Sequence, residues 1–136
     1  MSPRLSWQQY ALDLAKSASR RSEDPYQKVG ACALGQDNRV LSLGYNGLMA
    51  GVNVDAEFWS DRDARRPYMI HAEVNCLSLF KSGECKILAV TLLPCSYCAA
   101  MIAAYKIPQV VYSEVYERDT KALEIFDFYN IELIKL

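Results

Sequence analysis

Two short runs carry residue types and spacings that could hold a metal ion and move a proton: His71-Ala72-Glu73 and Pro94-Cys95-Ser96-Tyr97-Cys98. Cys95 and Cys98 are three apart, which on a helix puts both thiols on one face of its first turn. A helix N-terminus favours anions, so such a position lowers thiol pKa and readies both sulfurs for a metal. His71 is the only histidine in the chain. Two thiolates and one imidazole leave the fourth position of a tetrahedral zinc free, as in a catalytic rather than a structural site. Such a metal lowers the pKa of a bound water into the neutral range. Glu73, two residues from His71, is the candidate carboxylate beside it, able to take the water proton and hand it on.

Taken alone, each run admits other readings. A lone histidine is commonly an ordinary surface or core residue, and Glu73 could be a first-turn glutamate favoured by the helix dipole. Cys-x-x-Cys also fits half of a closed zinc site or a thiol redox pair. A closed site needs a second close ligand pair, whereas Cys76 and Cys85 lie nine apart. The redox reading lacks an aromatic-Cys-Gly-Pro-Cys type of sequence. Cys32 and Cys76 stand in apolar stretches and read as small core residues. Together, the two runs match His-x-Glu followed by Pro-Cys-x-x-Cys, the signature of zinc nucleobase deaminases.

Periodicity shows the elements that must present these runs. Residues 5–21 read as an amphipathic helix with Trp7, Tyr10, Ala11, Leu14, Ala15 and Ala18 on one face. Ser6 and Gln9 could form a capping box at its start, and Asp24-Pro25 ends it. Strands are expected over 29–34 and 40–45, joined as a hairpin through Gly35-Gln36-Asp37-Asn38. Between 46 and 70 the pattern fades, in a stretch too long for an idle loop and with Phe58, Trp59 and Tyr68 to bury. A helix over 71–82 with Gly83 as its stop precedes an apolar strand over 87–93. Pro94-Cys95 opens a third helix that closes before Ile107-Pro108. A strand over 110–112, a helix capped by Asp119 that covers Leu123, Ile125 and Phe126, and a strand over 131–136 complete the chain. Helices alternating with three strands imply right-handed crossovers and a mainly parallel sheet with helices on both faces. One α/β domain spanning 1–136 is expected.

The bulk properties narrow the partners. A chain of 136 residues is enough for one domain with a real core. With 51% hydrophobic and 23% charged residues, the balance is an ordinary globular one. A formal net charge of −1 lacks the basic excess of proteins that live on nucleic-acid polymers, though it leaves room for a basic pocket for one small phosphate. The five cysteines are an odd number, and the N-terminal MSPRLSWQQY has no apolar signal-peptide run. No stretch approaches the roughly 18 apolar residues of a membrane span. Reduced thiols in a cytoplasm (a host's, for a virally encoded chain) follow, with no disulfide framework and no membrane partner.

Further blocks surround the two motifs. Ser22-Glu23-Asp24-Pro25, Lys28-Val29-Gly30-Ala31-Cys32 and Gly44-Tyr45-Asn46-Gly47 are followed by Pro67-Tyr68-Met69-Ile70-His71-Ala72-Glu73 and Pro94-Cys95-Ser96-Tyr97-Cys98-Ala99. In content and order they resemble the deoxycytidylate (dCMP) deaminases of the cytidine/deoxycytidylate deaminase superfamily, from about residue 20 to the C-terminus. The resemblance implies a three-layer α/β/α sandwich with a five-stranded mixed sheet, cytidine-deaminase-like. It implies hydrolysis of dCMP to dUMP and ammonia, a supply of thymidylate precursor. It also implies one catalytic Zn2+ per chain on His71, Cys95 and Cys98, with Glu73 as proton shuttle. Cys32, Cys76 and Cys85 form no tight cluster for a second zinc.

The same resemblance implies that Ser22, Asn46 and the backbone near Ala72 meet the nucleoside and that Tyr116 lies near the phosphate. Asn46 could also be a turn residue tolerating positive φ, and Tyr116 a packing residue. In many members dCTP, with Mg2+, activates and dTTP inhibits at a second nucleotide site of a homohexamer. Here that site is expected around Asp24, Lys28, Gly47, Arg65 and Arg66. The chain departs from the family at Leu48-Met49-Ala50-Gly51, where x-Pro-x-Gly is usual, and this bears on loop shape and regulation rather than on zinc chemistry. The rivals are a deaminase of a free nucleoside, a guanine base or a tRNA or DNA base, a catalytically silent nucleotide-binding regulator, and a structural zinc protein. The net charge speaks against polymer substrates, and the full ligand set with Glu73 speaks against a silent scaffold.

Overall fold

Ser6 starts the first helix, α1 (Trp7–Ser19). Its hydroxyl accepts the Gln9 N–H at 3.0 Å, satisfying one of the unpaired donors at the head of the helix. Gln9 does not complete a capping box, because its side-chain amide donates to Asp13 at 2.8 Å. The helix buries Ala11, Leu12 and Ala15, a face rotated from the expected one. Trp7 and Tyr10 are left exposed, edge to face with ring centroids 5.8 Å apart. The reason is steric. A Cβ at Gly30 would stand 1.9 Å from the Ala15 carbonyl oxygen, so helix and strand cross in near contact and the bulky rings are left at the rim. The computed structural model describes residues 3–136; Met1 and Ser2 of the N-terminal run read above lie outside the described residues.

The expected hairpin forms between β1 (Gly30–Gly35) and β2 (Val40–Tyr45), turning through Asn38 at φ 65°. With β3 (Cys85–Leu92), β4 (Gln109–Glu114) and β5 (Glu132–Lys135) it makes a five-stranded sheet in the order β2-β1-β3-β4-β5. β3, β4 and β5 run parallel, linked through α4 (Ser96–Ala104) and α5 (Lys121–Phe128). β1 pairs antiparallel with both β2 and β3. The sheet is therefore mixed, as the resemblance implies, and not mainly parallel: β1 inserts between its hairpin partner and β3, a long-range choice that alternation of elements does not reveal.

Successive strand residues point to opposite faces. Cys32, Leu34, Ile87, Ala89 and Val111 pack under α1. Ala31, Ala33, Leu88, Val90 and Val110 pack on the other face, with side chains of α3 (Ala72–Leu77), α4 and α5. One helix covers one face and three the other, which gives the three-layer α/β/α sandwich. The stretch from 46 to 70 is not featureless. It holds three short turns: Ala56–Ser60, α2 (Arg62–Arg65) and Arg66–Tyr68, the first two capped by Asp55 and Asp61. α3 is shorter than the 71–82 expected, since Leu79 is exposed and does not continue the buried face. Gly83, at φ 89°, sits beyond it and donates its N–H to the Tyr105 carbonyl at 3.1 Å. Among the described residues no helix is long and apolar enough to cross a membrane.

Candidate active site

Both motifs come to rest at helix starts. His71 is the N-cap residue of α3 and Cys95 that of α4. α3 lies hard against β2: a Cβ at Gly44 would stand 2.6 Å from the Ala72 carbonyl oxygen and 2.6 Å from the Cys76 nitrogen. Ser42 donates to the Cys76 carbonyl at 2.8 Å, and the Asn75 amide to the Tyr45 carbonyl at 2.8 Å, so the helix is stitched to the strand along its length. The head of α4 is held by Asp119. Its carboxylate accepts the Ser96 N–H at 3.1 Å and the Lys121 N–H at 3.2 Å, tying the starts of α4 and α5 together. Thr120, rather than Asp119, occupies the N-cap position of α5.

This packing brings the His71 Nδ1 atom to 3.3 Å from the Cys98 sulfur and 3.6 Å from the Cys95 sulfur. All three donor atoms lie within 4.8 Å of one another. A tetrahedral zinc with bonds of about 2.0–2.3 Å sets its ligand atoms roughly 3.5–3.8 Å apart. The cluster fits that requirement in atom type and in spacing. It is the one group of three or more His, Cys, Asp or Glu side chains among the described residues with metal-ligand proximity.

The cluster favours one thiolate. Hydrogen bonding from the Cys98 thiol, with further help from His71, holds the Cys95 thiol down to about 4. Cys98 is displaced upward by the same shared hydrogen bond and by burial. His71 is raised chiefly by its hydrogen bond to Cys95. Glu73 is 4% exposed, and burial pushes its carboxyl up to about 7, where a carboxyl can both accept and release a proton near neutral pH. The remaining cysteines, Cys32, Cys76 and Cys85, are buried and free.

A cleft of about 860 Å³ opens from this cluster, lined also by Asn46, Ala72, Tyr116 and four arginines: Arg62, Arg65, Arg66 and Arg118. Asn46 is not a positive-φ turn residue. Its side chain clamps the neighbouring backbone, accepting the Val29 N–H at 2.8 Å and donating to the Gln27 carbonyl at 2.9 Å. Tyr116 accepts from Arg62 at 2.7 Å, which holds its phenol below the usual range. Ser22 does not line the cleft. It is buried behind it, donating to the Asn46 carbonyl at 2.8 Å and accepting the Asp24 N–H at 3.2 Å.

The residues expected at a separate regulatory site divide. Asp24, Arg65 and Arg66 line the same cleft as the metal cluster. Lys28 instead donates to the Ser22 carbonyl, and Gly47 pairs with Ile70 in an isolated antiparallel bridge. Sequence reasoning missed Arg62, Arg118 and Asp119 as cleft residues. Arg118 and Asp119 were within reach, since they stand two and three positions after Tyr116. Arg62 lies in the stretch where periodicity fades and left no signal.

The family model described as the cytidine and deoxycytidylate deaminase zinc-binding region matches residues 5–114, and the chain belongs to that family. Its kinship within the family is with the deoxycytidylate deaminases, as the sequence blocks indicate. It is 32% identical over 142 residues to the deoxycytidylate deaminase of Pongo abelii, the match covering 96% of this chain and 80% of that protein. It is 33% identical over 115 residues to the deoxycytidylate deaminase of Homo sapiens, covering 79% of this chain and 65% of the human protein. The crystal structure of dCMP deaminase from the cyanophage S-TIM5 in complex with dCMP and dUMP superimposes with a TM-score of 0.81 at 26% identity, covering 99% of this chain and 100% of that one. The five-stranded mixed sheet is thus that of the dCMP deaminases, and a zinc-binding family match coincides with the His71, Cys95 and Cys98 cluster.

Proposed function

We propose that this chain hydrolyses dCMP to dUMP and ammonia. The observation that carries the reading is a single cleft whose wall holds both a zinc-type ligand cluster with a buried carboxyl and a set of guanidinium groups. The first suits an exocyclic amine on a pyrimidine and the second a phosphate. The cyanophage relative holds dCMP and dUMP, a substrate and product of that description.

In this reading His71, Cys95 and Cys98 hold one zinc, which supplies the Lewis acidity that activates water near neutral pH. Glu73 takes the proton from the attacking water and delivers it to ring atom N3. With water added at C4, Glu73 then takes the proton of the new C4 hydroxyl and passes it to the amine, so that the C4–N bond breaks, the C4 carbonyl forms and ammonia leaves. Ala72, buried at the cleft wall, meets the pyrimidine through its backbone. Asn46 keeps one amide hydrogen after bonding Gln27 and meets the nucleoside. Tyr116, fixed by Arg62, lies at the phosphate. Ser22 acts through Asn46, whose carbonyl it holds.

The chain is read as one deaminase domain, acting on small nucleotides rather than on nucleic-acid polymers, in a reducing cytoplasm where thiolate ligands persist. The homohexamer, activation by dCTP with Mg2+ and inhibition by dTTP are carried by the family resemblance. Lys28 and Gly47, outside the cleft, mark where a second nucleotide would be sought. The test is ammonia release from dCMP and from deoxycytidine by the zinc-loaded protein, with and without dCTP-Mg and dTTP. Turnover of dCMP well above deoxycytidine supports the reading, and a response to the triphosphates supports regulation. Turnover of deoxycytidine alone, or of neither, rejects dCMP as substrate.

A further inference from the structure

Arg65 is a buried cation without enough partners. It is 5% exposed, and neither Nε nor Nη1 finds an acceptor. Its one countercharge is Asp24, whose Oδ1 lies 3.6 Å from Nη2, beyond hydrogen-bond distance. That oxygen is already engaged, accepting the Tyr26 N–H at 2.8 Å and the Gln27 N–H at 3.2 Å. Aromatic faces stand where acceptors would: the Tyr26 ring centroid is 4.7 Å and the Trp59 centroid 5.8 Å from the guanidinium carbon. Buried charged donors are seldom left unpaired. An arginine whose whole task was to pin α2 to the 22–28 segment would close its fork on a carboxylate in bidentate fashion. Arg65 does not, and it stands in the wall of the cleft beside Arg66 and Arg118.

We propose that Arg65 is the specificity-determining residue for the nucleotide over the nucleoside. The 5′-phosphate dianion of the substrate is the acceptor that its Nε–H and Nη1–H lack. Asp24 holds the guanidinium in place until the phosphate arrives. The assignment rests on the dCMP reading above and moves Arg65 from the regulatory site expected from sequence to the substrate itself. Tyr26, which covers the guanidinium on one side, is 66% exposed, so its ring leaves by giving up one cation–π contact and little burial. A phosphate could also arrive at the end of a regulatory triphosphate, and the experiment separates the two sources.

The chain has two tryptophans, so in a Trp7→Phe background Trp59 alone reports on the seat. Inorganic phosphate and dUMP are titrated against its fluorescence, with deoxyuridine as the phosphate-free control, in otherwise wild-type, Arg65→Gln, Arg65→Lys and Asp24→Asn chains. Losing two charge-assisted hydrogen bonds should weaken phosphate binding about 100-fold in Arg65→Gln, with partial recovery in Arg65→Lys. Asp24→Asn keeps an oxygen for the two backbone N–H groups but removes the countercharge, so phosphate binding tightens; were Arg65 merely structural, loosening it would weaken binding instead. In the deaminase assay the preference for dCMP over deoxycytidine in kcat/KM falls about 100-fold in Arg65→Gln, by the same two bonds.

No phosphate response in the wild type, or an equal response in Arg65→Gln, overturns the anion seat whether or not the chain turns over dCMP. A response lost in Arg65→Gln with an unchanged dCMP preference overturns the substrate assignment and gives the seat to a triphosphate. If dCMP is not deaminated at all, the dCMP reading fails while the fluorescence titration still decides the seat. Should Arg65→Gln not fold, Arg65→Lys, which keeps the charge but not the fork, carries the same comparisons.

Discussion

Replacing Glu73 with Gln exchanges one carboxyl oxygen for an amide in a side chain that is 4% exposed, leaving shape and volume almost unchanged. In the proposed mechanism Glu73 accepts two protons in turn, from the water and then from the C4 hydroxyl, and delivers the first to N3 and the second to the amine. A positioned acid–base group typically contributes 10²–10⁴-fold. Because these transfers share one residue and fail together, we expect a loss of about 10⁴-fold, about 5.4 kcal/mol in barrier. No neighbouring group is free to take over. The other cleft carboxylates are committed to backbone N–H groups, Asp119 to Ser96 and Lys121, and Asp24 to Tyr26 and Gln27. Folding should not suffer, since burial opposes the charge that Gln lacks. The assay is ammonia release from dCMP, alongside zinc content per chain by elemental mass spectrometry and a thermal melt. A Glu73→Gln chain that retains one zinc, melts like the wild type and turns over within tenfold of it would refute the proton-shuttle assignment.

Two other perturbations probe the scaffold. Gly44→Ala places a Cβ 2.6 Å from the α3 backbone, so it should destabilise the chain by about 1–3 kcal/mol and lower kcat by displacing the helix that carries Glu73. Gly47→Ala, where a Cβ meets nothing within 4 Å, is the control in urea unfolding; equal stability of the two variants would sink the packing argument. Burial raises the Cys32 and Cys85 thiols to about 12 and Cys76 to about 11, from 9.0. These folded-state values exceed the unfolded one, so their stabilising effect is fully present below pH 9 and is lost as pH rises through 11–12. At pH 10 each thiol withdraws about 1.4 kcal/mol. Cys32→Ala should therefore show a shallower fall in unfolding free energy between pH 8 and 10 than the wild type, and parallel falls would contradict the reading.

Much of the site was legible because its signals are short-range. The His71-Ala72-Glu73 and Cys95-x-x-Cys98 spacings are statements about one helical turn each, and the helix starts they predict are where the cap residues lie. The Ser6 cap, the β1–β2 hairpin and the apolar β3 run were readable for the same reason. The α1 face was misjudged because periodicity records which side chains are apolar, and not that Gly30 admits the Ala15 backbone to near contact while Trp7 and Tyr10 stay outside.

The chemistry can be read from the chain alone: a zinc-type donor set, a carboxyl two residues from its histidine, and blocks of a deaminase family. These are local patterns, and covalent spacing alone constrains them. How they meet is a matter of long-range packing. His71 and Cys95, 24 positions apart in the chain, close to 3.6 Å because β1 inserts beside β3 and α3 is stitched to β2. Tertiary packing alone also put Ser22 behind Asn46 and buried Arg65 in the cleft wall with its donors open. Those outcomes depend on which distant segments compete for the same space, and no window of sequence contains that competition.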